Sequence, residues 1–282
     1  MKRFRMDGRT ATGAILLAMV ALTALIAPWI APIDPTAQQH VVATRFLAPL
    51  SIDVYGVRHW LGTDALGRDL FARLVHGARI SVAVGFLAVG VAIGIGLAVG
   101  VGAAVLGGWA ERALMALTDA ALALPRLVLL LALVTLWEPS LGIVVLVIGG
   151  TGWMTVARLA RISSRSALAQ PYVEAARAAG VRRARLVLRH VLPNALTPIG
   201  VAAALGVGNA IMLEAGLAFL GLGIPAPAPS WGNMIASGRD ALVNAPWVAT
   251  IPGVAVVLAV LGCNLLGDGL RDAMDPRHEV AP

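Results

Sequence analysis

The sequence predicts an all-α integral membrane protein with six transmembrane helices and a cytoplasmic helix–glycine–helix loop between the fourth and the fifth. Three observations lead there. The 282 residues are 59% hydrophobic and 13% charged, which is more apolar surface than a soluble domain can hide. The apolar residues gather into runs long enough to cross a bilayer. One stretch between such runs, YVEAARAAGVRRARLVLRHVLPNALTP at 172–198, holds five arginines: Arg177, Arg182, Arg183, Arg185 and Arg189.

The elements follow in order. Residues 1–11 carry Lys2, Arg3, Arg5 and Arg9 and read as a cytoplasmic N-terminus. The first span is 12–31. Pro28 follows Ala27 and disfavours signal cleavage there, so this span is expected to remain. Residues 32–78 mix polar and apolar side chains without a span-length run and form an extracytoplasmic segment. It ends in HWLGTDALGRDLFARLVHGAR, where Gly62, Thr63, Asp64, Gly67, Arg68 and Asp69 combine turn glycines with charge. Asp64, Arg68, Asp69 and Arg73 suit an ion-pair cluster. A structural loop and a contact surface for an external partner or substrate both fit this segment.

A core of five spans occupies 79–267. The second span, about 80–107, has Gly90/Gly94 and Gly96/Gly100 at the four-residue spacing that lets helices approach closely. The third, about 113–136, contains Asp119 and Arg126 with Pro125 between them; ionisable groups there are functional candidates or snorkelling, paired end groups. The fourth, about 140–159, emerges through Arg158, Arg161 and Arg165. The fifth, about 198–221, carries Asn209 and Glu214, either pore-facing or helix-packing, with Asn209 a conceivable partner for Glu214. Pro225, Pro227 and Pro229 stiffen the loop that follows, and Trp231 suits a membrane–water boundary. The sixth span is about 246–266, and 268–282 is a cytoplasmic tail.

The arginine-rich loop, about 163–197, reads as an elbow. Pro171 opens an alanine-rich helix, and Gly180 ends it in the left-handed conformation. A second short helix is expected over 181–192. Val181, Ala184, Leu188 and Val191 form its apolar stripe, and Arg182, Arg185 and Arg189 its basic one. Pro193 and Asn194 should break it, with Thr197 and Pro198 as N-cap and first residue of the next helix. Arg182, Arg183, Arg185 and Arg189 suit a seat on anionic lipid.

Basic residues test this topology. The proposed cytoplasmic segments hold fifteen and the proposed outer segments five, a bias that puts both termini and the elbow inside.

Several chemistries are disfavoured. Lys2 is the only lysine, so no phosphate-binding Gly-rich loop with its lysine is present to hydrolyse ATP. Cys263 is the only cysteine, which rules out an internal disulfide or cysteine metal cluster. The five histidines lack metal-site spacing, and no span pairs a serine with a histidine or lysine for hydrolysis. No metal site and no catalytic residue is assigned. The net charge of +7 is assigned to topology and lipid, not nucleic acid, because it clusters between spans.

The stretch Tyr172, Glu174, Ala175, Ala176, Ala179, Gly180, Leu192 and Pro193 resembles the "EAA" coupling loop of bacterial ABC-importer permeases. LGTDALGRD before the second span, FLGLG and PSWG after the fifth, and LGDGLRDAMDPR at the end are similar to the C-type permeases of dipeptide and oligopeptide importers, with nickel-importer permeases as near relatives. Ala72 and Ala218 stand where many relatives have serine, and Arg126 stands where a small or apolar residue is more usual. The resemblance implies a type I ABC importer transmembrane domain in a bacterial inner membrane. It implies a second homologous permease as heterodimer partner, two ABC ATPase subunits that bind ATP and Mg, an extracytoplasmic substrate-binding protein and no cofactor on this chain. The small residues of the elbow would lie against an ATPase and Glu174 would meet a polar or basic group there. Peptide import is the leading reading. Nickel or a nickel chelate is the alternative in the same machinery, and an ion-driven secondary transporter or a membrane enzyme are alternatives outside it.

Overall fold

A computed structural model describes residues 8–38 and 40–274. The expected charges at Lys2, Arg3, Arg5 and Arg277 lie outside the described residues. The chain begins with α1 (Gly8–Ile30), then α2 (Val41–Thr44) and a small antiparallel hairpin of β1 (Ser51–Ile52) and β2 (Arg58–His59), with Ser51 opposite His59. The long α3 (Leu70–Leu106) follows, then α4 (Gly108–Ala123), α5 (Arg126–Val134), α6 (Leu141–Gly150) and α7 (Trp153–Leu168). The elbow contains α8 (Pro171–Ala178), α9 (Arg183–Leu186) and a π-helical turn (Val187–Val191) that runs into α10 (Leu192–Phe219). Finally come α11 (Trp231–Gly238) and α12 (Trp247–Met274).

Four helical stretches are long and apolar enough to cross a membrane: α1, α3, α12 and the continuous run Arg183–Phe219. Two bent pairs, α4 with α5 at 86° and α6 with α7 at 43°, bring the number to six if each pair is one span. The third span is therefore not the straight rod expected over 113–136. Pro125 lacks an N–H, its ring clashes with the preceding helical turn, and it holds Leu124 extended at φ −78°, ψ 132°.

Four other expectations are corrected. The helix of the second span begins at Leu70, within the expected 32–78 segment, because Asp69 caps it there by accepting a hydrogen bond from the Ala72 N–H at 2.7 Å. Pro193 and Asn194 do not break the elbow from the fifth span. The π turn ends at Val191, where Leu192 N–H reaches back to the Val187 carbonyl, and this wider turn gives the Pro193 ring room. Thr197 and Pro198 are interior to α10, and the final helix continues to Met274, through much of the expected tail.

The helix α3 is central, touching α1, α4, α6, α7, α10 and α11. At about 1.5 Å per residue its length is about 55 Å, longer than a bilayer's hydrocarbon core. Gly96 and Gly100 lie against α7, where a Cβ at Gly96 would press on Val156 and one at Gly100 on Ala160. Gly90 and Gly94 were expected to act likewise, but both face open space. Helix α1 packs on α12 through Gly13, Gly262 and Gly269. Its other face exposes Ile15, Met19, Leu22, Leu25 and Trp29, as a surface facing lipid or a partner does. Thr10 meets Gly269, and Pro198 shares a cleft with Arg271 and Met274, so the start of α1, the end of α12 and the elbow lie at one end of the bundle. The start of α3 lies at the other.

Candidate coupling elbow and translocation site

The first helix of the elbow ends as its sequence predicts. Gly180 has φ +77°, the Gly180 N–H bonds to the Arg177 carbonyl at 3.0 Å, and the Val181 N–H bonds to the Ala176 carbonyl at 3.1 Å. This reciprocal pair closes the helix and sets the angle of the bend. Nothing lies within 4 Å of where a Gly180 Cβ would stand, so backbone conformation alone requires glycine.

One face of the elbow is anchored. Val173, Leu186 and Val191 are buried in one apolar cluster with Val101 of α3, Ala160 of α7 and Ile199 of α10. The Tyr172 ring lies 5.7 Å from the His190 ring, and its hydroxyl accepts a hydrogen bond from Asn194 Nδ2 at 3.2 Å, so the two arms of the elbow are tied together. The opposite face is open: Glu174, Ala175, Ala178, Ala179 and Gly180 are exposed, and Ala176 is half-buried.

The apolar stripe expected over 181–192 is wrong in its middle. Ala184 and Leu188 are exposed, whereas Leu186 is buried. The stripe assumed 3.6 residues per turn, and the π turn inserts a residue and rotates the face. Arg182, Arg183, Arg185 and Arg189 are all exposed, and Pro193 is exposed beside a half-buried Leu192.

The other arginines at this end hold helices together. Arg161 Nε and Arg165 Nη1, one turn apart on α7, donate to Glu111 Oε1 at 2.6 and 2.9 Å. Arg158 Nη2 donates to Asp119 Oδ1 at 2.6 Å, which resolves Asp119 as a paired end group. No sequence signal joins residues about fifty positions apart, and the Glu111 clamp was missed for that reason.

At the far end, the motif 62–69 folds into a buried knot. Asp64 accepts from Arg68 Nε at 2.7 Å, and Arg73 Nε stands 3.5 Å from the same oxygen. Asp69 does not join that cluster. It caps α3 with one oxygen, and the other stands 2.7 Å from His59 Nδ1. Thr63 is fully buried and donates to the Thr44 carbonyl at 2.5 Å. Gly62 and Gly67 have φ of +80° and +69°, and any side chain would strike Leu47 or Thr44. In the hairpin turn, burial alone would raise the Asp53 carboxyl, but the N–H groups of Val57 and Tyr55 outweigh it and hold it below the usual range. Thr63, Asp64, Arg68 and Asp69 are buried and brace the bundle, while Ala65 and Leu66 of the same motif are exposed.

Glu214 and Asn209 separate. Glu214 is fully buried and its Oε1 accepts from Ser230 Oγ at 2.8 Å. Ser81 Oγ accepts the neighbouring Trp231 N–H at 3.1 Å, so α3, α10 and the start of α11 converge on one polar cluster. Asn209 takes no part in it. It lines a cavity of about 280 Å³ between α3, the α6–α7 bend and α10. Arg126, at the start of α5, reaches the same cavity and donates from Nη2 to the Ile148 carbonyl at 3.2 Å. An arginine after Pro125 in an apolar run and Asn209 in the fifth span were the sequence signals for this site.

Apolar helices, two of them broken, around an exposed helix–glycine–helix elbow define a multi-pass permease. The comparisons give its family. The model described as "Binding-protein-dependent transport system inner membrane component" matches residues 90–280, and that of the "N-terminal TM domain of oligopeptide transport permease C" matches residues 1–49. The "Di/tripeptide transport system permease protein DppC" of Pseudomonas aeruginosa is 41% identical, covering 95% of this chain and 88% of its own length. The "Probable D,D-dipeptide transport system permease protein DdpC" of Escherichia coli is 38% identical, covering 95% of this chain and 87% of its own length. A solved MetNI methionine ABC transporter chain superposes with a TM-score of 0.59 at 22% identity, covering 72% of this chain and 97% of that one, which shows a shared fold. The chain belongs to the binding-protein-dependent inner-membrane permeases of ABC importers, in the branch of the oligopeptide C-type permeases. It is a multi-pass inner-membrane transport subunit, and the ion-driven transporter reading is set aside.

Proposed function

We propose that this chain carries di- and oligopeptides across the bacterial cytoplasmic membrane, by alternating access driven by separate ATPase subunits. The observation that carries the reading is likeness over 95% of the chain to a permease named for di- and tripeptides. The relatives reported above are named for peptides, which puts nickel behind them as substrate.

A second homologous permease completes the pathway as a heterodimer, and an external binding protein delivers the peptide. Two ABC ATPase subunits bind ATP and Mg beneath the elbow. The exposed alanines of α8 let that helix lie close to an ATPase surface, and Glu174 meets a polar or basic group on it. When ATP closes the ATPase pair, the elbow moves as a rigid lever. The cluster of Val173, Leu186 and Val191 transmits that motion to α3, α7 and α10. The two conformations differ in which end of the pathway is open, and ATP shifts their populations. The elbow and both termini are cytoplasmic in this reading. The basic-residue bias and the shared end of α1, α12 and the elbow support it.

Uptake by the whole transporter with Glu174→Arg or Gly180→Pro tests the coupling role. Proline locks φ near −65°, far from the +77° that the bend needs. Both variants are expected to insert, bind the ATPases weakly and lose uptake. Normal ATP-dependent uptake in both would sink the assignment.

A further inference from the structure

Among the described residues, the arginine at the break of the third span has no counter-charge. Arg68, Arg73, Arg158, Arg161 and Arg165 each face a carboxylate within 4 Å. Arg126 faces none among the described residues. Its single hydrogen bond is to a neutral carbonyl, and its Nε is buried without a partner. The cavity it enters is otherwise apolar except for Thr155 and Asn209. Gly152, at the α6–α7 bend, brings Arg126 Nη2 and Ala92 together: a Cβ there would stand 3.2 Å from the first and 3.3 Å from the second. Ala92 lies one turn past Ala88, the middle residue of the central helix α3 (Leu70–Leu106), so the half-buried Arg126 reaches the bundle near mid-length.

A guanidinium is always charged and is costly inside a membrane span. Broken helices at that depth are tolerated where they line a cavity, and here both broken pairs meet at one. A fork of donors lining an apolar cavity, with one bond spent on a neutral carbonyl, suits a carboxylate arriving from outside the chain. The volume is near the lower end of the roughly 300–1,000 Å³ of small-ligand sites. We propose that Arg126 receives the C-terminal carboxylate of the peptide during translocation and so favours free-acid peptides at the membrane step. This rests on the peptide-import reading.

The test is uptake by the complete transporter in proteoliposomes with its binding protein. A panel of di- and tripeptides is offered, each as free acid and as C-terminal amide. Because the binding protein is the same throughout, a change in the acid-to-amide ratio belongs to the permease. Arg126→Gln is expected to lower that ratio by about tenfold through loss of free-acid uptake. Arg126→Lys keeps the charge without the fork and is expected to lower it by about threefold. If Arg126→Gln does not assemble, Arg126→Lys decides alone. An unchanged ratio, or equal loss of acid and amide, makes Arg126 a structural tie and overturns the proposal. Absence of peptide uptake by the wild-type complex overturns the import reading, and this inference with it.

Discussion

Charged residues in this chain divide by burial, and burial decides what each one does. Asp64 is 2% exposed and faces two buried arginines, whereas Glu174 stands in the open on its helix with no side-chain partner among the described residues. Asp64→Ala leaves Arg68 and Arg73 buried without their carboxylate, a loss of about 3–5 kcal/mol for a broken buried pair. Thermal unfolding of the purified permease in detergent is expected to show a much lower midpoint for this variant, with poor yield. Unchanged stability would mean that the knot does not brace the bundle. The sequence placed these charges near one another but did not separate their roles. Asp69 read as one of an ion-pair cluster, yet it caps α3 and holds His59, because the hairpin of β1 and β2 brings His59 beside it.

Among elements, the π turn at Val187–Val191 is the piece on which the elbow's geometry turns. It joins the lever to α10 without a break and rotates the buried face so that Leu186 and Val191 point into the bundle. Inserting one alanine after Asn194, in the regular part of α10, adds a residue that the π turn does not absorb and turns everything before it by about 100° relative to the rest of α10. The variant is expected to insert but to release Val173 and Leu186 from their cluster. Protease cleavage in the elbow should rise and ATP-dependent uptake should be lost. Full uptake by this variant would show that the angular relation between elbow and span is immaterial. This part was illegible in the sequence, since the period of a helix is assumed when a stripe is drawn. The two prolines that suggested a break, Pro193 and Pro198, are carried inside one continuous helix.

For the molecule as a whole, the orientation in the membrane can be measured directly. Cys263 is buried and is the only cysteine, so Cys263→Ala gives a background for single reporters. Tyr55 and Arg182 are both exposed, at opposite ends of the bundle. In intact cells a membrane-impermeant maleimide is expected to label Tyr55→Cys at once, and Arg182→Cys only after permeabilisation. Labelling of both from the same side would overturn the six-span topology and the cytoplasmic elbow with it.

The sequence by itself determined the membrane class, the sites of the apolar runs, the closing conformation at Gly180 and the absence of a lysine-bearing phosphate loop. These are local properties: hydropathy summed over a span, the φ that a glycine alone accepts, the presence of one residue type. Only the tertiary structure decided that the third span breaks by 86°, that Gly96 and Gly100 pack while Gly90 and Gly94 stay open, and that Glu111 belongs to Arg161 and Arg165. It also decided that Arg126 stands in a cavity without a carboxylate. Pairing across the bundle depends on which helix faces meet, and that is set by the packing of every span at once.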